Sequence, residues 1–133
     1  MCGAVRYKTR GEPLDSFACH CTACQKKTGS AFAIELFFLN ENVEFTGTAP
    51  SVFESKSDET GRWLRHEFCP KCGSSIGLTV ERRPGQHGVT GGTFDDPNWL
   101  ELNRHVWTRS AQKWTPIPHG VERYELGSLP PAK

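Results

Sequence analysis

No run of this sequence is apolar for the ~20 residues that a membrane-spanning helix needs, and no basic-then-apolar leader opens it. Charge of either sign is not in excess. Lys and Arg number 16 against 15 Asp and Glu, for a formal charge of +1. Nucleic-acid binding usually rests on a basic face, so this balance argues against that class of partner. Apolar residues make up only 36% of the chain. Thirteen Gly and nine Pro point to turns and short elements rather than long helices. There is no repeat, linker or low-complexity tract. H-E-x-x-H, a Gly-rich phosphate loop and G-x-S-x-G are all missing. A zinc nucleobase deaminase needs H-x-E upstream of P-C-x-x-C. Here His66 and Glu67 are adjacent, and Pro70 lies between Cys69 and Cys72. The expectation is a soluble, cytoplasmic chain forming one domain over residues 1–133.

Six cysteines stand out against these absences, and three of them fall in Cys19-His20-Cys21-Thr22-Ala23-Cys24. Two more form Cys69-Pro70-Lys71-Cys72, and the last is Cys2. Neighbours in a C-x-C-x-x-C run rarely have the facing geometry a disulfide requires, and unexported thiols stay reduced. Zinc fits better, because thiolates about 2.3 Å from one ion must converge from short loops. Two Zn²⁺ on six thiolates would take the charge from +1 to −1. The C-P-K-C-G stretch reads as a zinc knuckle, with Pro70 stiffening the turn and Gly73 admitting positive φ. It supplies two ligands, with Cys2 the obvious third. Cys19, Cys21 and Cys24 supply three ligands from one segment. A fourth tetrahedral position is then open to water or substrate, or closed by a distant Cys or His, with His20, His66, His87, His105 and His119 the candidates.

Frequent short strands separated by turns argue for a mainly β domain. Strands are expected at Ala4–Tyr7, Ala31–Leu39, Val43–Phe45 and Ser75–Val80, with late ones at Arg104–Trp107 and Arg123–Leu126. A hairpin is expected from Val52–Ser55 and Trp63–Phe68. Thr22 and Gln25 fit a capping box, so a short helix should run to Gly29 and place Cys24 where the helix dipole favours thiolate. If Cys19 to Cys21 is extended, both sulfurs point one way and His20 the other. The tail after Gly127 should be frayed.

Other groups carry a bland and a sharp reading. Gly91-Gly92 could form a backbone-lined substrate edge, and the following Asp95-Asp96-Pro97 is either a turn or paired acid–base carboxylates. His105 and Trp107 share a face of an expected strand, as a solvated His beside a packed Trp or as a pocket lining. Lys26, Lys27, Arg82 and Arg83 are surface charges or an anion's partners.

The ordered spacings resemble the glutathione-dependent formaldehyde-activating enzyme family, in the centromere protein V superfamily. The residues that carry the resemblance are Cys2-Gly3-Ala4-Val5-Arg6-Tyr7, Cys19-His20-Cys21-x-x-Cys24 with Thr28-Gly29-Ser30, and Phe68-Cys69-Pro70-x-Cys72-Gly73. The late His105-Val106-Trp107 and Lys113-Trp114 add to it. The resemblance implies a β-tent (Mss4-like) fold of packed antiparallel sheets around two zinc sites, with a short helix after the second cysteine group. It also implies a structural zinc at Cys2, Cys69 and Cys72, and a reactive zinc at Cys19, Cys21 and Cys24. The implied activity joins glutathione, or a related thiol, to formaldehyde or another small electrophile: a carbon–sulfur lyase run in reverse. Gly91, Gly92 and His105 would then line the substrate site. A non-catalytic zinc scaffold that binds protein is the alternative, and a homo-oligomer is compatible with either. The family opens with C-x-C-G where this chain has Met1-Cys2-Gly3. The fourth ligand of the first zinc is therefore left open between a residue ahead of Met1, a water, a His and a partner residue.

Overall fold

The computed structural model describes residues 1–127; the expected frayed tail after Gly127 lies outside them. The fold is mainly β with one short helix, as the turn-rich sequence implies. The elements are β1 (Val5–Thr9), β2 (Asp15–Cys19), α1 (Thr22–Thr28), β3 (Ala33–Leu39), β4 (Val43–Gly47) and β5 (Ser51–Lys56). They continue with β6 (Trp63–Phe68), β7 (Ser75–Val80), β8 (Gln86–Thr90), β9 (Arg104–Val106) and β10 (Glu122–Arg123). β1 and β4 pair antiparallel as a small sheet, and the other strands form an eight-stranded sheet in the order β10-β9-β2-β3-β8-β7-β6-β5.

β3 is central because both of its faces are covered. Leu36 and Phe38 point to one side, where with Val89 they form the core against Tyr7 and Val43 of the small sheet. Burying each large side chain contributes roughly 1.5–3 kcal/mol. Ala33, Glu35 and Phe37 alternate onto the opposite side. There Phe37 stacks on Phe17 with ring centroids 5.9 Å apart, and Phe17 pairs directly with Glu35 across the β2–β3 ladder. An apolar run with no polar face is what a two-sided central strand requires.

The hairpin is present as Ser51–Lys56 and Trp63–Phe68, paired in register from Ser51↔Phe68 to Lys56↔Trp63. Three features depart from the sequence reading. First, β2 begins at Asp15, a buried carboxylate. Arg83 and Arg104 both pair with it, so distant guanidinium groups make a charged residue tolerable in a strand. Second, the large sheet is not wholly antiparallel: β9 runs parallel to β2, and β10 parallel to β9. The segment 91–103 crosses from β8 to the far side of β2, the long connection that parallel neighbours need. Third, β9 stops at Val106, because Trp107 is left-handed at φ 58°. Trp107 therefore does not share a strand face with His105.

Candidate metal centres and the cavity between them and the sheet

Helix α1 begins one residue earlier than a capping box would place it. Cys21 is the N-cap, and its Sγ accepts from the Cys24 N–H at 3.3 Å. Gln25 does not cap. Its Nε2 donates instead to the carbonyls of His20, at 2.8 Å, and Ser110, at 2.9 Å. Ser110 Oγ also donates to the His20 carbonyl at 2.9 Å, and Gln112 Nε2 donates to Gln25 Oε1 at 2.9 Å. The cysteine loop is thus held from behind by residues some eighty-five positions later. Gly29 closes the helix in the left-handed region at φ 62°.

This arrangement brings Cys19, Cys21 and Cys24 together with their sulfurs all within 4.8 Å of one another. His20 points away, as the extended reading requires. It is fully buried, and its Nε2 lies 2.8 Å from Nδ1 of His105. The three thiols do not share charge evenly. Hydrogen bonds from the Cys19 thiol first, and from Cys24 next, draw Cys21 down to about 3. Cys19 is pushed up to about 12, chiefly by its bond to Cys21. Cys24 is pushed up as well, by its bonds to Cys19 and Cys21. A group that can share one thiolate among three sulfurs is a donor set suited to a soft divalent ion.

The second group lines a separate depression. Cys69 and Cys72 lie on the turn between β6 and β7, closed by Gly73 N–H to Cys69 carbonyl at 2.8 Å. Gly73 has φ 73°, so positive φ is in fact required there. Cys2 Sγ lies 3.6 Å from Cys69 Sγ, and all three sulfurs fall within 4.8 Å. Thiolates about 2.3 Å from a common tetrahedral ion sit about 3.8 Å apart, whereas a disulfide needs about 2.05 Å. All six cysteines are free. The Ser74 hydroxyl, as the largest influence, draws Cys72 down to about 6. Both groups fit zinc by donor chemistry and spacing, although Cys2 is exposed while Cys69 is buried.

The Cys19/Cys21/Cys24 group opens into an apolar cavity. It measures about 430 Å³ and is walled by Phe37, Leu64, Leu78 and Val106. Glu35, His66 and Trp107 also line it. Glu35 is 2% exposed, and its Oε1 accepts from Lys27 Nζ at 2.6 Å. Its Oε2 is buried with no hydrogen-bond partner among the described residues. Burial pushes the Glu35 carboxyl up, and the Lys27 ammonium draws it back. At the rim, Arg109 pairs with Glu59 of the β5–β6 turn, and its guanidinium lies over the Trp107 ring. Cys2, Cys69 and Cys72 line a separate depression of about 570 Å³ with Tyr7, Phe94 and Trp99.

Trp107, Arg82 and Arg83 line this cavity, whereas Gly91, Gly92 and His105 are not among its lining residues. His105 pairs with Ala18, and therefore faces the side of the sheet opposite Cys19. It is 5% exposed against His20, so it is neither solvated nor lining the cavity. Gly91 lies on that same far side. A Cβ there would meet Ile34 Cγ2 at 2.5 Å, so packing explains its identity. Gly92 follows it in a 3-10 turn and is exposed. Asp95 accepts from Arg6 in an exposed ion pair rather than facing Asp96 as an acid–base partner. Lys27 is half-buried, its side chain 12% exposed, and it pairs with Glu35 rather than standing as a free surface charge. Glu35 and His66 carry no motif. The visible signal for Glu35 was a lone charge inside the apolar run Ala33–Leu39.

Comparison with known proteins adds three findings. A sequence model of the glutathione-dependent formaldehyde-activating enzyme family matches residues 1–110. A crystal structure of a Rhodobacter sphaeroides protein, a structural-genomics target, aligns with a TM-score of 0.56 at 19% identity. The alignment covers 92% of this chain and 94% of that one, and at that identity it speaks to the fold alone. No curated protein matches.

Proposed function

Starting from the fact that the chain belongs to the glutathione-dependent formaldehyde-activating enzyme family, we propose that it binds glutathione or a related thiol at the Cys19/Cys21/Cys24 group and joins it to formaldehyde or another small electrophile. The observation that carries this reading is three convergent sulfurs at the end of an apolar cavity of about 430 Å³. Zinc held by those sulfurs would supply a soft position that favours a substrate's thiolate over its thiol.

The protein's own groups do the rest. Phe37, Leu78 and Val106 exclude water from the cavity. Lys56, Arg82, Arg83 and Arg109 line its wall together with Asp58 and Glu59, so partners for both the ammonium and the carboxylates of a peptide-like ligand border the cavity. Cys19, Cys21 and Cys24 together would hold the ion as thiolates. In the reaction the thiol sulfur forms a bond to the aldehyde carbon, the carbon–oxygen π pair moves onto oxygen, and that oxygen takes the proton the thiol lost. This is a carbon–sulfur lyase run toward addition. Gly91, Gly92 and His105 have no contact with ligand in this reading. His105 instead supports the cysteine loop through His20. Cys2, Cys69 and Cys72 hold a structural zinc, the β-tent description applies to the two-sheet packing, and residues 1–133 act as one domain. Thiol chemistry of this kind suits a reducing cytoplasm.

Calorimetry on the zinc-loaded protein tests the reading. Glutathione should bind, more tightly as pH rises toward its thiol pKa, because ligation releases a proton. S-methylglutathione keeps the charges but cannot become a thiolate, and should bind much more weakly. Equal affinities, or no binding of either, would defeat sulfur ligation and leave a zinc scaffold as the better description.

A further inference from the structure

The cavity holds one feature that zinc ligation leaves unexplained. Glu35 is a carboxylate on a central strand, 2% exposed, with one oxygen satisfied and the other not. Lys27 Nζ occupies Oε1 at 2.6 Å, while Oε2 has no partner among the described residues. Leaving a buried acceptor unmade is costly, more so for a charged group. The side chain lines the same cavity as the three sulfurs. Its position relative to them is set by the ladder: Phe17 pairs with Glu35 and Cys19 with Ala33. Cys19 and Glu35 are therefore diagonal neighbours on one face, a separation of roughly 7–8 Å between backbones. Lys27 sits three residues after Cys24 on α1, so the ion pair also locks Glu35 to the helix that carries a ligand cysteine.

We infer that Glu35 Oε2 accepts a hydrogen bond from an N–H borne one carbon away from the thiol-carrying carbon of the ligand, and so selects cysteine-derived thiols over simple ones. The inference rests on the proposed thiol ligation and names the substrate class for it. A cysteine residue places its sulfur and its own backbone N–H on adjacent carbons. A ligand whose sulfur occupies the open position beside Cys19 presents that N–H within reach of a neighbouring acceptor. Lys27 donates to Oε1, which leaves Oε2 as the oxygen that accepts from the ligand. A hydrogen bond to a charged acceptor, lost together with its burial, changes binding about tenfold to a hundredfold.

Calorimetry on the zinc-loaded protein with two small thiols decides the matter. N-acetylcysteine carries the thiol, the carboxylate and the N–H, whereas 3-mercaptopropionate carries the first two alone. The wild type should prefer N-acetylcysteine by about tenfold to a hundredfold. Glu35→Gln retains the shape but can place an N–H where Oε2 was, so the preference should collapse while 3-mercaptopropionate binds as before. If Glu35→Gln does not fold, Glu35→Asp serves the same purpose, because it keeps the charge and withdraws the carboxylate by one methylene. Equal binding of the two thiols to the wild type, or a preference that survives the substitution, overturns the inference and leaves thiol ligation standing. Binding of neither thiol removes both.

Discussion

At the scale of single residues, the six cysteines do not carry equal weight. Cys69 is buried at the turn that joins β6 and β7, and structural zinc in small zinc-finger peptides is worth about 10–16 kcal/mol. Cys69→Ser or Cys72→Ser should therefore unfold or aggregate the chain. Cys24→Ser alters one local loop, and it should melt within a few degrees of wild type while losing thiol binding. Thermal melts paired with calorimetry check both, and equal collapse of all three variants would make both sites structural. The buried His20–His105 pair adds a pH dependence. Burial lowers both rings below the ordinary value. A histidine lowered in the folded state stabilises the fold fully above its unfolded pKa, about 6.5, and loses that contribution as pH falls through the folded value. Wild-type stability should therefore drop below about pH 6.5, and His105→Asn should flatten that drop. Melting curves of the two proteins between pH 7.5 and 5, buffer for buffer, test it; parallel curves would show that the pair does not titrate.

At the scale of elements, the helix and its cysteine loop depend on a segment far away in the chain. Gln25 makes both of its Nε2 bonds to backbone carbonyls, one in the loop and one at Ser110. Groups that orient metal ligands typically matter by 10–100-fold in affinity. Gln25→Ala should weaken zinc at Cys19/Cys21/Cys24 by about that factor and leave Cys2/Cys69/Cys72 unaffected. Competition with a chromophoric chelator would resolve a fast and a slow fraction, with only one fraction changed. This network was not legible in the sequence. Gln25 reads locally as a cap partner, and nothing in Ser110 or Gln112 announces a contact with residue 25. By contrast β3 and the β5–β6 hairpin were legible, because aromatic and β-branched runs between turn residues have few other stable forms. Strand β2 was hidden by Asp15, whose charge is neutralised only when Arg83 and Arg104 arrive from elsewhere.

At the scale of the whole molecule, two separate cysteine groups accompany a sheet whose central strand is buried on both faces. Gentle purification should recover close to two zinc ions per chain, since the six cysteines form two groups of three. Cys2 is exposed, so the ion at Cys2/Cys69/Cys72 should leave first on titration with a chelator. Metal analysis along that titration checks the order; absence of zinc together with mapped disulfides would overturn the metal reading.

The sequence by itself determined the mainly β class, the short helix and both cysteine groups, because each rests on local chemistry: turn residues, apolar runs and ligand spacing. It also carried the family resemblance, which is a matter of ordered motifs. Only the tertiary structure decided which group faces a cavity and what else faces it. Face and register are properties of strand pairing. Ala18↔His105 turns His105 away from Cys19, and Gly91 packs beneath Ile34 on that far side. Phe17↔Glu35 turns Glu35 toward the sulfurs. No local pattern distinguishes those outcomes, since a shift of one residue in register would exchange every one of them.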